Sequence, residues 1–175
     1  MDYRTIINTC YCGDGALKLE KAEQLAAIYE KRLLQQEDIL DQLTFVKEKV
    51  LSLDAHMTAM AMGKTCTRCA ATPRGGCCSF YMGNENGDAL LLLMNILAKV
   101  DVALVCDNGV ECCFLGSSGC ILLFKPIFCL NYLCGRIQEE SDSGELEELE
   151  QKTGALLSAQ SDLEQLLIRF LQLQR

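Results

Sequence analysis

At 175 residues, 50% apolar and 23% charged, the chain has the composition of a globular protein with a real core, which excludes wholesale disorder. Its formal charge of −8 excludes a sequence-independent grip on nucleic-acid phosphates and a polybasic membrane-surface site, since both need clustered Lys and Arg. Aromatics make up only 6%, with no Trp, so the core has to come from Leu, Ile, Val, Ala and Met.

The N-terminus, Met1-Asp2-Tyr3-Arg4, has no basic stretch leading into an apolar one, so no secretion signal is read there. The longest apolar run, Ala89–Met94, is too short to span a bilayer. A cytoplasmic protein without a membrane segment is expected. Residues 1–15 form a leader ending in Cys10-Tyr11-Cys12-Gly13-Asp14-Gly15, read as a mobile turn with two free thiols; the alternative is that this Cys-x-Cys adds ligands to a nearby site. Asp14 suits the N-cap of a helix starting just after it.

From Ala16 to Met62 there is neither Pro nor Gly. Apolar residues recur at Leu25, Ile28/Tyr29, Leu33, Ile39, Leu43, Val46, Val50, Leu53, Met57 and Met60, with the four-three alternation of a helix-bundle seam from Ile39 onward. Residues 16–63 are therefore expected to form one amphipathic helix of about 70 Å, or two helices broken near Gln35–Asp38. Gly63-Lys64-Thr65 has the tail of a phosphate-binding loop, but Thr58 stands where that loop needs its first Gly and no strand precedes it. His56, the single histidine, is read as structural or solvated, and Met57, Met60 and Met62 as core filler.

Residues 64–137 read as a small α+β head. Asp88 can cap a short buried helix from Ala89 to about Lys99, and Val100–Val105 alternates loosely, as a strand does. Cys112–Leu115 and Cys120–Phe124 flank Gly116-Ser117-Ser118-Gly119, two β-prone runs around a turn, and Lys125-Pro126 ends the expected hairpin. Residues 138–175 then start acidic, turn at Ser141-Asp142-Ser143-Gly144, and repeat at Leu149, Leu156, Ala159, Leu163, Leu166, Phe170 and Leu173, broken only by Lys152. This is a helix of about 45 Å, expected to return along residues 16–63. The fold expected is thus mainly α, a helical hairpin or bundle carrying a cysteine-rich, metal-stapled head with a short β-hairpin; pairing of two copies into four helices is a further expectation.

Ten of the twelve cysteines fall between Thr65 and Cys134. In a reducing compartment such clustering reads as metal ligation rather than disulfides, with buried apolar thiols as the remaining reading. Cys66-Thr67-Arg68-Cys69 has the Cys-x2-Cys spacing that lets two thiolates reach one ion. It is followed by Cys77-Cys78, Cys112-Cys113-Phe114-Leu115, Gly119-Cys120, Lys125-Pro126-x-x-Cys129 and Cys134. Over residues 66–134 this order resembles the YkgJ-like zinc- or iron-chelating cysteine-cluster family. It departs from that pattern in the insertion Ala70–Gly76, in the absence of a spacer between Gly119 and Cys120, and in Leu130 where a basic residue is common. The resemblance implies metal binding, with Cys66, Cys69, Cys77, Cys78, Cys112, Cys120, Cys129 and Cys134 as candidate ligands. Cys113 joins them because, on a strand, it and Cys112 point to opposite faces and one of the two would ligate. Cys106 has no counterpart and reads as a buried thiol. The metal expected is zinc, with an iron–sulfur cluster as the alternative, in a structural or metal-handling role with a possible protein partner.

Two other function classes compete. One is a redox protein using an iron–sulfur cluster or a thiol activated by Arg68 or Arg74; the other is a helical scaffold. No His or Asp constellation surrounds a cysteine and no nucleotide-binding glycine pattern occurs, so the reading leans away from an enzyme.

Overall fold

A computed structural model describes residues 8–70, 78–85, 87–105, 110–116, 119–131 and 133–174. It is mainly helical, with one two-stranded antiparallel sheet among the described residues. Helix α1 (Gly15–Leu33) starts on Asp14, whose carboxylate accepts from the Leu17 N–H at 3.0 Å, and ends with Lys31 and Arg32 in its last turn, where positive charge suits the helix dipole. The chain turns over Leu34–Gln36 and re-enters helix α2 (Glu37–Ala59), whose first turn carries Glu37 and Asp38. The long amphipathic stretch is therefore two helices. Ala61, at φ 54, turns the chain again into α3 (Met62–Ala70).

α2 buries Ile39, Leu43, Val46, Val50 and Leu53, and what covers them is α8 (Ser143–Gln172), running antiparallel. The direction is fixed by pairs along the seam: the His56 Nε2 lies 2.9 Å from the Glu145 carbonyl, Lys152 Nζ 2.8 Å from Ser52 Oγ, and Gln42 Nε2 3.0 Å from the Ala159 carbonyl. α8 begins on a capping box in which Asp142 and Glu145 satisfy each other's backbone N–H groups. Its buried stripe is Leu149, Thr153, Leu156, Ala159, Gln160, Leu163, Leu167, Phe170 and Leu171. Leu166 is only partly buried and Leu173 is 79% exposed, so beyond Leu163 the strict heptad reading fails at these two positions and holds at Phe170. A straight helix drifts about 20° per heptad, and the stripe accordingly slides from the Leu166 row to the Leu167–Leu171 row. Thr153 takes the seam position that the sequence pattern shows interrupted at Lys152.

α1 does not extend this hairpin. It packs on α5 (Ala89–Leu97), which is buried at every position but Ile96 and so needs cover on more than one side; α8 supplies another. Asp88 caps α5 by accepting from the Leu91 N–H at 2.8 Å. Tyr29 of α1 meets Phe170 of α8 edge-on, 5.9 Å between centroids, with Arg32 over both rings. Asn95, fully buried on α5, belongs to none of the sequence motifs. Its Oδ1 accepts from the Leu123 and Phe124 N–H groups (2.8 and 3.0 Å), and its Nδ2 donates to the Leu91 and Phe124 carbonyls (2.9 and 3.0 Å), tying the chain after the sheet to the core.

The short elements lie around this frame. α4 (Phe80–Glu85) comes directly after an isolated antiparallel bridge, Ser79 with Glu111. β1 (Leu115–Gly116) and β2 (Gly119–Cys120) pair Leu115 with Cys120 and Gly116 with Gly119, a shorter hairpin than expected. The reason is local: Leu115 N–H bonds back to the Cys112 carbonyl at 2.9 Å, turning the strand before it can lengthen, and Asn95 takes over the N–H groups of residues 123 and 124. Val100–Val105 forms no strand among the described residues: the Val100 N–H turns back to the Asn95 carbonyl at 3.0 Å, and Val105 donates to the Cys113 carbonyl at 2.7 Å. α6 (Ile127–Asn131) packs on α8, and α7 (Gly135–Glu140) on α3.

Of residues 8–14 of the leader, Cys10 is buried and the others are exposed. Cys10 is fully buried and Tyr11 donates its hydroxyl to Glu164. No helix among the described residues is long and apolar enough to cross a membrane.

Candidate metal centre

The cysteines are placed by four short pieces of structure. Cys66 and Cys69 lie on α3, not in the tight turn the Cys-x2-Cys spacing suggests, and both are half-buried. Three residues apart on a helix still makes them neighbours on one face. α3 rests on β2, which carries Cys120, and on α7, the helix that Cys134 opens; Thr65 Oγ1 donates to Glu140 Oε2 at 2.7 Å across the second contact. Cys78 is half-buried and its carbonyl accepts from the Cys112 N–H at 3.0 Å. Thus α3 meets the hairpin, and the Cys78–Cys112 bond joins the segments that lead into α4 and β1.

Cys112 and Cys113 are not on a strand, Cys113 lying in a turn, and their sulfurs meet different glycines. Cys112 Sγ packs over Gly83 of α4, where a Cβ would sit 2.9 Å away, and Cys112 acts electrostatically on Cys120. Cys113 is buried, its Sγ 2.9 Å from where a Cβ on Gly15 would stand. Glycine is therefore required at positions 15 and 83 by close approach of sulfur. Neither requirement is visible in a single sequence. Cys129 lies exposed on α6, and Cys134 is half-buried at the start of α7. Cys77, Cys106, Arg74 and the Arg68 side chain lie outside the described residues.

Although Cys120 reaches the surface, the crowding around it raises its thiol above the usual value; Lys125 opposes this, and Cys112 adds to it. A protonated thiol is no ligand, so a metal there has to displace the proton, and its uptake is expected to strengthen as pH rises. Cys10 is fully buried, and burial pushes its thiol to about 11, opposed by Lys21 and reinforced by Asp88. His56 is held at the α2–α8 seam by the Glu145 carbonyl and the Glu148 carboxylate, 3.6 Å from Nδ1.

The donor chemistry on these elements suits a soft or borderline cation, since several half-buried thiols occur on pieces packed against one another. Their spacing does not amount to a closed site: among the described residues no three of His, Cys, Asp or Glu come together as a metal-binding group. Compared with protein-family models, with curated proteins and with solved structures, the chain matches none.

Proposed function

We propose that the cysteine-rich head binds a metal ion through thiolates, with Cys66 and Cys69 of α3 and Cys112 and Cys120 of the hairpin region as the ligand set, in a structural or metal-handling role rather than as an enzyme. What supports this reading is the packing of α3, which carries Cys66 and Cys69, on β2, which carries Cys120. Cys78 and Cys134 flank that set, Cys113 and Cys10 belong to the core, and Cys129 sits apart on α6. Zinc is the expected ion, because four thiolates satisfy its tetrahedral preference without an open position. When bound it supplies a cross-link between elements too short to hold each other by apolar burial alone. The resemblance of residues 66–134 to the cysteine-cluster family points the same way, as would a reducing, cytoplasmic setting in which thiols persist. The seams of α2 and α8 are covered within one chain, so the reading invokes no homodimer.

The test is elemental analysis with a visible spectrum, on protein purified without oxygen and without a metal-affinity tag. About one zinc per chain and no visible band is expected, with the zinc lost in the Cys66→Ser/Cys69→Ser variant. Iron with sulfide and a visible band would replace the zinc reading by electron transfer or redox sensing. A metal-free chain that stays folded would overturn both.

A further inference from the structure

One set of contacts fastens the first turn of α1 to the cysteine pair 112–113, and metal binding alone gives it no purpose. Gly83 of α4 lies so close to Cys112 that a Cβ there would stand 2.9 Å from its Sγ, 3.3 Å from its Cα and 3.3 Å from the Cys113 nitrogen. The next residue, Asn84, holds α1 twice. Its Oδ1 accepts from the Gly15 N–H at 2.8 Å, and its carbonyl accepts from Lys18 Nζ. Cys113 completes the set, with its Sγ against Gly15 itself. Lys18 is 5% exposed, and among the described residues its ammonium hydrogen-bonds to that carbonyl alone. Upstream, Cys10 is fully buried and the Tyr11 hydroxyl reaches Glu164 of α8.

We propose that α4 couples the head to the start of α1, so that ligation of Cys112 keeps residues 10–18 docked and loss of the metal releases them. This coupling rests on the metal-binding function just proposed. Ligation fixes the Cys112 sulfur and, through the shared backbone, the neighbouring Cys113. Gly83 and Gly15 have no side chains to absorb a shift of either sulfur, so in a close-packed interior the shift passes to α4 and to α1. Lys18 makes the response two-state. A buried ammonium is tolerated only while its acceptor is in place, and once Asn84 moves away desolvation drives Lys18 into water with the first turn of α1. The rest of α1 stays on α5, and the few ties of residues 10–14 make their opening local.

Amide exchange on the full chain, read by mass spectrometry with zinc bound and after chelation, is the test. Zinc is expected to slow exchange at residues 10–18 at least about fivefold and to leave residues 39–53 of α2 unchanged. Coupling is reciprocal, so Asn84→Ala, which removes no thiol, should weaken zinc by a similar factor in competition with a chromophoric chelator. Lys18→Met separates the two states in another way: a methionine needs no acceptor, so residues 10–18 stay protected after chelation. Equal exchange at residues 10–18 with zinc bound and removed would overturn the coupling and leave the metal reading standing. Faster exchange everywhere on chelation would overturn it too, since the whole fold then responds. A chain that takes up no zinc would overturn both. Should Asn84→Ala not fold, the unaltered protein and Lys18→Met decide.

Discussion

Replacing Asn95 by Leu keeps the branched heavy-atom shape of a fully buried side chain and removes all four of its hydrogen bonds. The Leu91 carbonyl keeps its helical partner, but the N–H groups of Leu123 and Phe124 and the Phe124 carbonyl are left without theirs. At about 1–3 kcal/mol each the three orphaned groups cost about 3–9 kcal/mol together, and the apolar replacement returns about 1–2 kcal/mol, so the net loss is about 1–8 kcal/mol. Against a total stability of about 5–15 kcal/mol this moves the urea midpoint far down or unfolds the chain at room temperature. Asn95→Asp sharpens the test. Its carboxylate accepts as Asn95 does but sets a second oxygen against two carbonyls, so burial and repulsion raise its folded pKa above the unfolded value of about 4. The unfolded chain then ionises first, and stability falls as pH rises from the unfolded pKa through the folded one. Urea titrations followed by circular dichroism measure both. A loss below about 1 kcal/mol for Asn95→Leu, with unchanged slope, would refute the account of Asn95 as the tie between α5 and residues 123–124.

Gly15→Ala places a Cβ 2.9 Å from Cys113 Sγ and 3.2 Å from Asn84 Oδ1, and is expected to cost about 1–3 kcal/mol, much of it recovered in Gly15→Ala/Cys113→Ala; thermal melts of the three variants check this. Asp142→Ala breaks the capping box of α8 and should lower stability by about 1 kcal/mol, read from the same melts. Cys10 and Cys12 should differ in alkylation at mildly alkaline pH, with the exposed Cys12 modified first and Cys10 lagging; peptide mapping by mass spectrometry reports the order. Between the ordinary thiol value of 9.0 and about 11 the unfolded chain loses the Cys10 proton that the folded chain keeps, so stability should fall as pH climbs through that window, and Cys10→Ala should flatten the fall.

The helices are legible because their burial follows the 3.6-residue period directly: Ile39, Leu43, Val46, Val50 and Leu53 announce the buried face of α2 by spacing alone. Asp14, Asp88 and Asp142 announce helix starts, and each caps through its side chain. What spacing cannot supply is the neighbour. Periodicity does not say that α1 covers α5 while α8 covers α2, nor that Ile28 is exposed while Tyr29 meets Phe170. The candidate site shows the same division. The cysteines are obvious as a cluster, yet the helical setting of Cys66 and Cys69 and the different fates of Cys112 and Cys113 depend on α3, α4 and α1 packing nearby. Asn95 is detectable in principle, as one amide in the run Ala89–Leu97, because a polar side chain in an apolar helix requires partners.

The antiparallel union of α2 and α8 also sets a timetable. Gln42 meets Ala159 and His56 meets the Glu145 carbonyl, pairs separated by 117 and 89 residues. During synthesis at about 5–20 residues per second, the apolar row of α2 therefore waits on the order of 5–20 s before its cover emerges. The nascent chain thus presents Ile39, Leu43, Val46, Val50 and Leu53 to the cell for that interval, long enough for chaperones to engage them. Aggregation during expression should depend on these residues more than on any part of the finished surface.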